Sequence, residues 1–261
     1  MVGAFTARGW LRFPHDPQIA RWAGAAHQAG LKALRDEALS HWYQCENTWF
    51  VGVDAVPNDP SGALGDVPLA GAPLTFVTDF YGALPPLHRA QLSVVFPGYP
   101  RPRAGEGDAA FRYRLHRDAA HVDGLLPVGP DRRRMMKEPH AWILGLPVGH
   151  ASADAAPMVV WDGSHKIMSQ AFAEALADHP PGQWGDVDLT DVYHKARKTV
   201  FETCQRVKVY AAPGEAYLVH RFALHGVAPW GQGASADPAG RMVAYFRPQW
   251  PEAGADWLTA P

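Results

Sequence analysis

The spacing of hydrophobic positions changes along the chain. Between Pro17 and Ser40 apolar residues recur at roughly helical intervals, which predicts one or two helices with a break near Gly30. From about Ala90 onward, apolar runs are short and end at turn residues, which is typical of strands. The pattern therefore predicts a helical region followed by a β-rich region.

The predicted strands share short apolar stretches, several with period-two alternation. They cover residues 48–59 (TWFVGVDAVPND), 90–100 (AQLSVVFPGYP), 111–118 (FRYRLHRD), 140–150 (HAWILGLPVGH), 157–165 (PMVVWDGSH), 206–212 (RVKVYAA), 215–220 (EAYLVH), 225–230 (HGVAPW) and 241–248 (RMVAYFRP). Helical spacing predicts two inserts, over residues 166–179 and 189–204, and residues 65–86 are ambiguous.

No repeat, linker or low-complexity tract divides the 261 residues. We therefore expect one domain over residues 1–261, with an N-terminal helical layer over about 1–89 and a β-barrel core over about 90–250. The 24 prolines and 25 glycines are spread along the chain, which favours the many tight turns of a barrel or sandwich.

Charge and cysteine content exclude several classes of protein. The formal net charge is -2, so no global field favours nucleic acid or an anionic membrane, and no apolar run is as long as a membrane span. We expect a small-molecule substrate, no nucleic-acid partner and no membrane. Two cysteines, Cys45 and Cys204, and no recognisable signal peptide fit a cytoplasmic protein. The oligomeric state is not predicted.

The pattern His-x-Asp occurs twice, as His116–Asp118 and as His121–Asp123. A histidine and a carboxylate two residues apart can bind one metal ion. If residues 111–115 form a strand, side-chain alternation carried forward places His121 and Asp123 on the inward, apolar face. That parity favours the second pair, unless residues 118–121 form a bulge or turn.

A third ligand is available downstream. The facial triad of non-heme iron oxygenases uses two histidines and one carboxylate and leaves the opposite positions open. His225 lies in the segment LHGVAPW after an apolar strand, and His220 is the alternative.

Arg241 begins the alternating segment RMVAYFRP and has no acidic neighbour in the sequence. A buried guanidinium in such a place calls for a carboxylate that it can bind through two hydrogen bonds, and a dicarboxylic cosubstrate would serve. Arg247 is the competing residue, although it abuts Pro248.

These motifs, in this order, resemble the phytanoyl-CoA dioxygenase-like family of Fe(II)- and 2-oxoglutarate-dependent oxygenases. The resemblance rests on His121-x-Asp123, the GSHK from Gly163, the PGE from Pro213, His225-Gly226 and Arg241, over residues 90–248. The segment between His225 and Arg241 is longer than is usual in that family. The first 90 residues carry no recognised motif.

The resemblance implies a mainly β fold with flanking α-helices, namely a double-stranded β-helix (jelly roll, cupin-like barrel). It implies that His121, Asp123 and His225 bind Fe(II), and that Arg241 holds the distal carboxylate of 2-oxoglutarate. It further implies hydroxylation of a small organic substrate with release of succinate and CO2, since Asp123 stands where related halogenases have a small residue.

The substrate cannot be identified from the sequence. Tyr113, His140 and Trp142 are candidates to line the pocket, and the run Arg132–Arg134 is a candidate anion-binding patch. Two alternatives stay open: a cupin-like metal-dependent enzyme, or a non-catalytic binding protein, neither of which would use 2-oxoglutarate.

Overall fold

The computed structural model describes residues 1–250 and 256–260, and in these residues the chain forms twelve strands and seven α-helices. The strands are β1 (Trp10–Phe13), β2 (Tyr43–Gln44), β3 (Trp49–Phe50), β4 (Gln91–Val95), β5 (Leu125–Val128), β6 (Arg133–Met136), β7 (Trp142–Pro147), β8 (Met158–Trp161), β9 (Arg206–Val209), β10 (Ala216–His220), β11 (His225–Val227) and β12 (Arg241–Phe246).

The helices lie before, between and after these strands. They are α1 (Val2–Arg8), α2 (Pro17–Ala33), α3 (Ala72–Tyr81), α4 (Asp108–His116), α5 (Ser164–Leu176), α6 (Thr190–Thr203) and α7 (Asp256–Thr259), with 3-10 turns at Glu37–Trp42 and Pro181–Asp186.

Two antiparallel sheets form the centre of the molecule. The major sheet has seven strands in the order β1-β10-β7-β12-β4-β3-β2, and the minor sheet has three in the order β11-β8-β9. Strands β5 and β6 form a separate hairpin. Except for β2 and β3, neighbouring strands in the two sheets are far apart in sequence, so the chain crosses repeatedly between the sheets.

The sheets face each other across an apolar layer. Alternate side chains of the strands point into it. Buried residues from both sheets share this layer: Trp10, Ile143, Met158, Val160, Val209, Tyr217, Val219, Val243 and Tyr245.

Helices cover the outer face of each sheet. On the major sheet, Ile19 and Trp22 of α2 pack against the outward residues of β7 and β12, and α3 packs against β10. On the minor sheet, Phe172 of α5 and Val200 of α6 pack against the outward side of β8. The molecule is therefore a four-layer stack of helix, sheet, sheet and helix.

This arrangement confirms the expected fold class, a mainly β jelly roll with flanking helices. Within residues 1–250 and 256–260, the hydrogen bonds of the major and minor sheets keep them separate and do not close a barrel. The expected N-terminal helical layer over residues 1–89 needs correction, because β1, β2 and β3 lie in that region and join the major sheet.

Of residues 111–118, expected as a strand, 111–116 are helical in α4, Arg117 caps the helix and Asp118 lies in the following turn. Asp108 lies in the first turn and Arg114 and His116 in the last, which suits the helix dipole. Arg114 also pairs with Glu106 at 2.5 Å. The alternation of FRYRL was therefore misleading, and the parity argument built on it was wrong.

The expected break of α2 near Gly30 is also absent, because the helix continues to Ala33. Gly30 lies against Met242, and a Cβ at this position would come within 2.6 Å of the Met242 sulfur. The glycine therefore allows close packing of helix on sheet. Among the described helices, none is both long and apolar enough to span a bilayer.

Candidate metal centre

His121, Asp123 and His225 meet at one point, and a ligand atom from each lies within 4.8 Å of the others. His121 Nε2 is 3.1 Å from Asp123 Oδ1, and His225 Nε2 is 3.7 Å from Asp123 Oδ2. Asp123 and His225 are buried, whereas half of the His121 side chain is exposed. No other group of three or more such residues forms a cluster of this kind in the described chain.

The backbone fixes this meeting. His121 and His225 form an isolated antiparallel bridge, with His121 N donating to His225 O at 2.8 Å and His225 N donating to His121 O at 3.0 Å. His225 opens β11 on the minor sheet. The bridge therefore ties the segment after α4 to that sheet.

The turn before His121 has an unusual conformation. Asp118 and Ala119 both have positive φ, 54° and 51°. The Asp118 carboxylate accepts two hydrogen bonds from Arg206, at 2.7 and 2.8 Å, and Asp118 O accepts one from Val227 N at 3.0 Å. These contacts hold a backbone geometry that non-glycine residues rarely adopt.

Both histidines are oriented by backbone carbonyls. His121 Nδ1 lies 2.9 Å from Ala119 O, and His225 Nδ1 lies 2.9 Å from Ala223 O. A carbonyl oxygen only accepts, so each Nδ1 carries the proton and donates it. In the neutral rings the Nε2 lone pairs are then left for a metal, as is usual for metal-binding histidines.

Electrostatics also suit a cation. Burial opposes ionisation of Asp123, but Arg247, His225 and His121 outweigh it and hold its pKa well below the ordinary value. Burial lowers the pKa of His225 to about 4 despite the nearby Asp123, so this ring is neutral at pH 7. Burial also opposes protonation of His121, but the Asp123 carboxylate outweighs it and raises the pKa of His121. A divalent cation would take the place of that proton.

The donor set therefore fits a facial triad: two imidazole nitrogens and one carboxylate around one point, with one side open. Such a set is typical of mononuclear non-heme iron sites.

A cavity of about 230 Å³ adjoins the three residues at one end of the space between the sheets. Its walls are mostly apolar and aromatic. The residues besides the triad are Trp49, Val51, Val53, Gln91, Ser93, Tyr99, Ala119, Ile143, Met158, Gly226, Val227, Tyr245 and Arg247.

Arg241 and Arg247 lie at opposite ends of β12. Arg241 is 7% exposed, lies between the sheets beside Tyr217 and Tyr245, and its Nη1 has no hydrogen-bond partner in the described chain. It does not line the triad cavity, but Tyr245 both contacts Arg241 and lines that cavity. Arg247 lines the cavity directly, and its Nη1 is 3.4 Å from Asp123 Oδ2.

The alternative metal ligands lie elsewhere. His116 is exposed at the end of α4, and Asp118 is engaged by Arg206. His220 is buried in β10, where its ring packs against Phe5 and His165. None of the three belongs to the triad cluster.

The expected pocket residues need correction, because none of the three lines the triad cavity. Tyr113 is on α4 and donates to Ala120 O at 2.7 Å. Trp142 points from β7 into the core beneath α2 and α3, and His140 is buried beside Gln249. The sequence alone could not show which face of each element is directed toward the triad cavity.

The GSHK and PGE motifs are structural in this chain. Ser164 Oγ accepts a hydrogen bond from Leu224 N at 2.9 Å, and His165 Nε2 is 3.1 Å from Thr6 O. Gly214 has a φ of 93°, and Glu215 accepts from Ala212 N at 2.8 Å. Ser164 thus positions the residue before His225.

Trp49, Tyr99 and Gln91 line the cavity but were not candidates from the sequence. They lie on or beside strands that carry no motif, so no local signal marked them.

The chain was compared with protein families, curated proteins and solved structures. No family model matches the sequence, and no curated protein matches it. Among solved structures, the non-heme alpha-ketoglutarate-dependent carbocyclase SnoK from nogalamycin biosynthesis is similar at 12% identity and TM-score 0.48, over 95% of this chain and 82% of that one.

Two further structures are similar at 14% identity. AviO1 from Streptomyces viridochromogenes Tue57 has a TM-score of 0.49 over 100% of this chain and 96% of that one. EctD from S. alaskensis, with 2-oxoglutarate and 5-hydroxyectoine, has a TM-score of 0.42 over 94% of this chain and 73% of that one. At these identities and TM-scores the likeness says nothing about substrate or reaction.

Proposed function

We propose that this protein is an Fe(II)- and 2-oxoglutarate-dependent oxygenase that hydroxylates a small organic substrate. The observation that carries the proposal is the meeting of His121, Asp123 and His225, with both Nδ1 atoms bonded to carbonyls, at the wall of a mostly apolar cavity. Three protein ligands leave positions for a chelating cosubstrate and for O2.

Each residue of the triad has its own role in metal binding. His121 and His225 would present their Nε2 atoms to Fe(II), and Asp123, held ionised by its neighbours, would supply one carboxylate oxygen. The bridge between His121 and His225 keeps both rings in register. With 2-oxoglutarate and O2, bound iron supplies the oxidation of a substrate C–H bond, and succinate and CO2 leave.

Arg241 fits the distal carboxylate of 2-oxoglutarate. It is a buried cation whose Nη1 has no partner in the described chain, and the side chains of Tyr217 and Tyr245 lie beside it. Leaving a buried donor unpaired is costly, so a bound carboxylate would relieve that cost. Tyr217 and Tyr245, whose hydroxyls are 2.7 Å apart, border the same place.

The test is anaerobic addition of Fe(II) and then 2-oxoglutarate to metal-free protein. We expect the weak visible charge-transfer band of the chelated iron, its loss in His121→Ala, and its retention in the matched control His116→Ala. Iron binding without a band at saturating 2-oxoglutarate would contradict the proposal and favour a cupin-like or non-catalytic protein.

A further inference from the structure

The triad cavity has one charged residue besides Asp123 and the two histidines, namely Arg247, among the residues that line it. Its side chain lines the cavity and is 26% exposed. It lies beside the metal point, not at the buried position of Arg241. Its role is not accounted for by binding of 2-oxoglutarate through Arg241.

Protein groups satisfy only part of the Arg247 guanidinium. Nη2 donates to Gln91 Oε1 at 2.5 Å, and Nη1 donates to Asp123 Oδ2 at 3.4 Å, which is long for a hydrogen bond between charged groups. Nε has no partner in the described chain. Since a guanidinium has five N–H donors, most of them are available to another acceptor.

The side chain is nevertheless held in place. Gln91 fixes Nη2, and Arg247 N donates to His88 Nε2 at 2.8 Å, which anchors the backbone just after β12. A fixed guanidinium with unused donors is a preorganised site for a carboxylate.

Formal charges in the loaded site favour an anion. Fe(II) and Arg241 would together balance Asp123 and the two carboxylates of 2-oxoglutarate. Arg247 then leaves one positive charge in a largely apolar cavity. Glu138, the other acid near Arg247, is 42% exposed and pairs with His140 at 3.3 Å. A singly charged anion would therefore neutralise the site, and burying an unbalanced charge is unfavourable.

Apart from its few polar residues, the lining of the cavity is apolar and aromatic. Trp49 and Tyr99 meet edge to face with their ring centroids 6.0 Å apart, and Val51 and Val53 continue this wall. Trp49 is fixed by a hydrogen bond from its Nε1 to Ser93 Oγ at 3.0 Å. Such a surface suits an aromatic or alicyclic body.

We infer that the substrate of this site is a small organic monocarboxylate, whose carboxylate binds Arg247 and whose apolar body lies against Trp49 and Tyr99. The inference rests on the proposed function. It makes Arg247 a substrate-binding residue and leaves 2-oxoglutarate to Arg241.

The test uses Mn(II)-loaded protein with 2-oxoglutarate, without turnover, and calorimetry with two matched probe pairs: 1-naphthoate with 1-naphthamide, and 3-phenylpropanoate with 3-phenylpropanamide. We expect each carboxylate to bind at least tenfold more tightly than its amide. In Arg247→Met the preference should fall below threefold, while Arg247→Lys, which keeps the charge, should retain part of it. Arg21→Met, an exposed arginine on α2, is the control for loss of one positive charge.

The outcomes separate the two proposals. If 2-oxoglutarate does not bind to the Mn(II) protein, the proposed function fails. If it binds but neither pair shows a carboxylate preference, or no probe binds at millimolar concentration, the monocarboxylate inference is overturned. If Arg247→Met weakens 2-oxoglutarate instead of the probes, Arg247 is a cosubstrate residue and the inference is likewise overturned.

Discussion

Gly226 lies so close to Asp118 that a Cβ at Gly226 would be 2.1 Å from the Asp118 carbonyl oxygen. The same Asp118 oxygen accepts a hydrogen bond from Val227 N at 3.0 Å. The residue after His225 must therefore lack a side chain if the turn before His121 is to dock. This contact explains physically why a glycine follows the metal-ligand candidate His225.

Gly226→Ala should separate these two segments. We expect a loss of about 1–3 kcal/mol in the free energy of unfolding, as for overpacking of a filled core, together with at least tenfold weaker metal binding. Urea unfolding and metal titration measure the two effects. Gly24→Ala, where a Cβ meets nothing within 4 Å, should be neutral or stabilising by up to about 1 kcal/mol. Equal unfolding free energies and equal metal affinities in the two variants would show that the close contact at Gly226 does not limit docking of the two segments.

The ion pair of Asp118 with Arg206 should contribute more to stability and to metal binding than the nearby His116. Asp118 is buried, whereas Arg206 is 39% exposed, so solvent screening reduces the contribution of the pair. We expect Asp118→Asn, which keeps the tolerance for positive φ, to cost about 1–2 kcal/mol of stability and to weaken metal binding. His116→Ala should change neither property. A loss of metal binding in His116→Ala, with the fold intact, would favour the first His-x-Asp pair instead.

Arg241→Met should separate metal binding from cosubstrate binding. Because the variant removes a buried guanidinium without touching the triad, we expect at least tenfold weaker 2-oxoglutarate binding and unchanged metal affinity. Anaerobic calorimetry with the Mn(II) protein measures both. Arg241→Lys should recover only part of the affinity, since an ammonium lacks the planar fork. Unchanged 2-oxoglutarate affinity in both variants would move that role away from Arg241.

His220 should make the protein less stable in mild acid. Burial, reinforced by Arg221 and His165, holds the pKa of His220 well below its ordinary 6.5. Below about pH 6.5 the unfolded chain takes up a proton that the folded chain does not, so stability falls by up to about 1.4 kcal/mol per pH unit from this group. This contribution stops increasing once the pH drops below the folded pKa.

The measurement is urea unfolding at several pH values between 7.5 and 5. His220→Asn, whose side-chain oxygen can still accept the hydrogen bond from Phe222 N, should show a shallower loss than the wild type. His41→Asn, at an exposed position, should lose stability with falling pH as steeply as the wild type. Parallel curves for the wild type and His220→Asn would rule out His220 as the source.

Long apolar runs were the reliable part of the sequence. β7, β10 and β12 were predicted because nearly every residue in them is buried in the middle of the major sheet. The short strands β8, β9 and β11 also fall within predicted segments, but other short elements were missed. β1 was missed because its four residues are stabilised by pairing with β10, which lies far away in sequence. Of the strand predicted over residues 48–59, only Trp49–Phe50 pairs.

In the candidate site too, features that depend on contacts between distant segments could not be predicted from local sequence. Strand parity and the family resemblance favoured the second His-x-Asp pair and His225. These three residues do cluster, although the parity was wrong because residues 111–115 are helical. The cavity wall, by contrast, depends on which strands become neighbours. Trp49, Tyr99 and Gln91 reach it through the order of the major sheet, and that order is not written in any local pattern.

The order of the major sheet also bears on how the chain is made. β7 lies between β10 and β12, and both of these strands follow it in the sequence. The bridge partner of His121 is His225, which is also synthesised much later. A nascent chain leaving the ribosome therefore exposes β7, whose six residues are all buried in the folded protein, with both edges open until its two neighbours have emerged. Open apolar edges favour aggregation, so efficient production should depend on chaperones that shield this strand during synthesis.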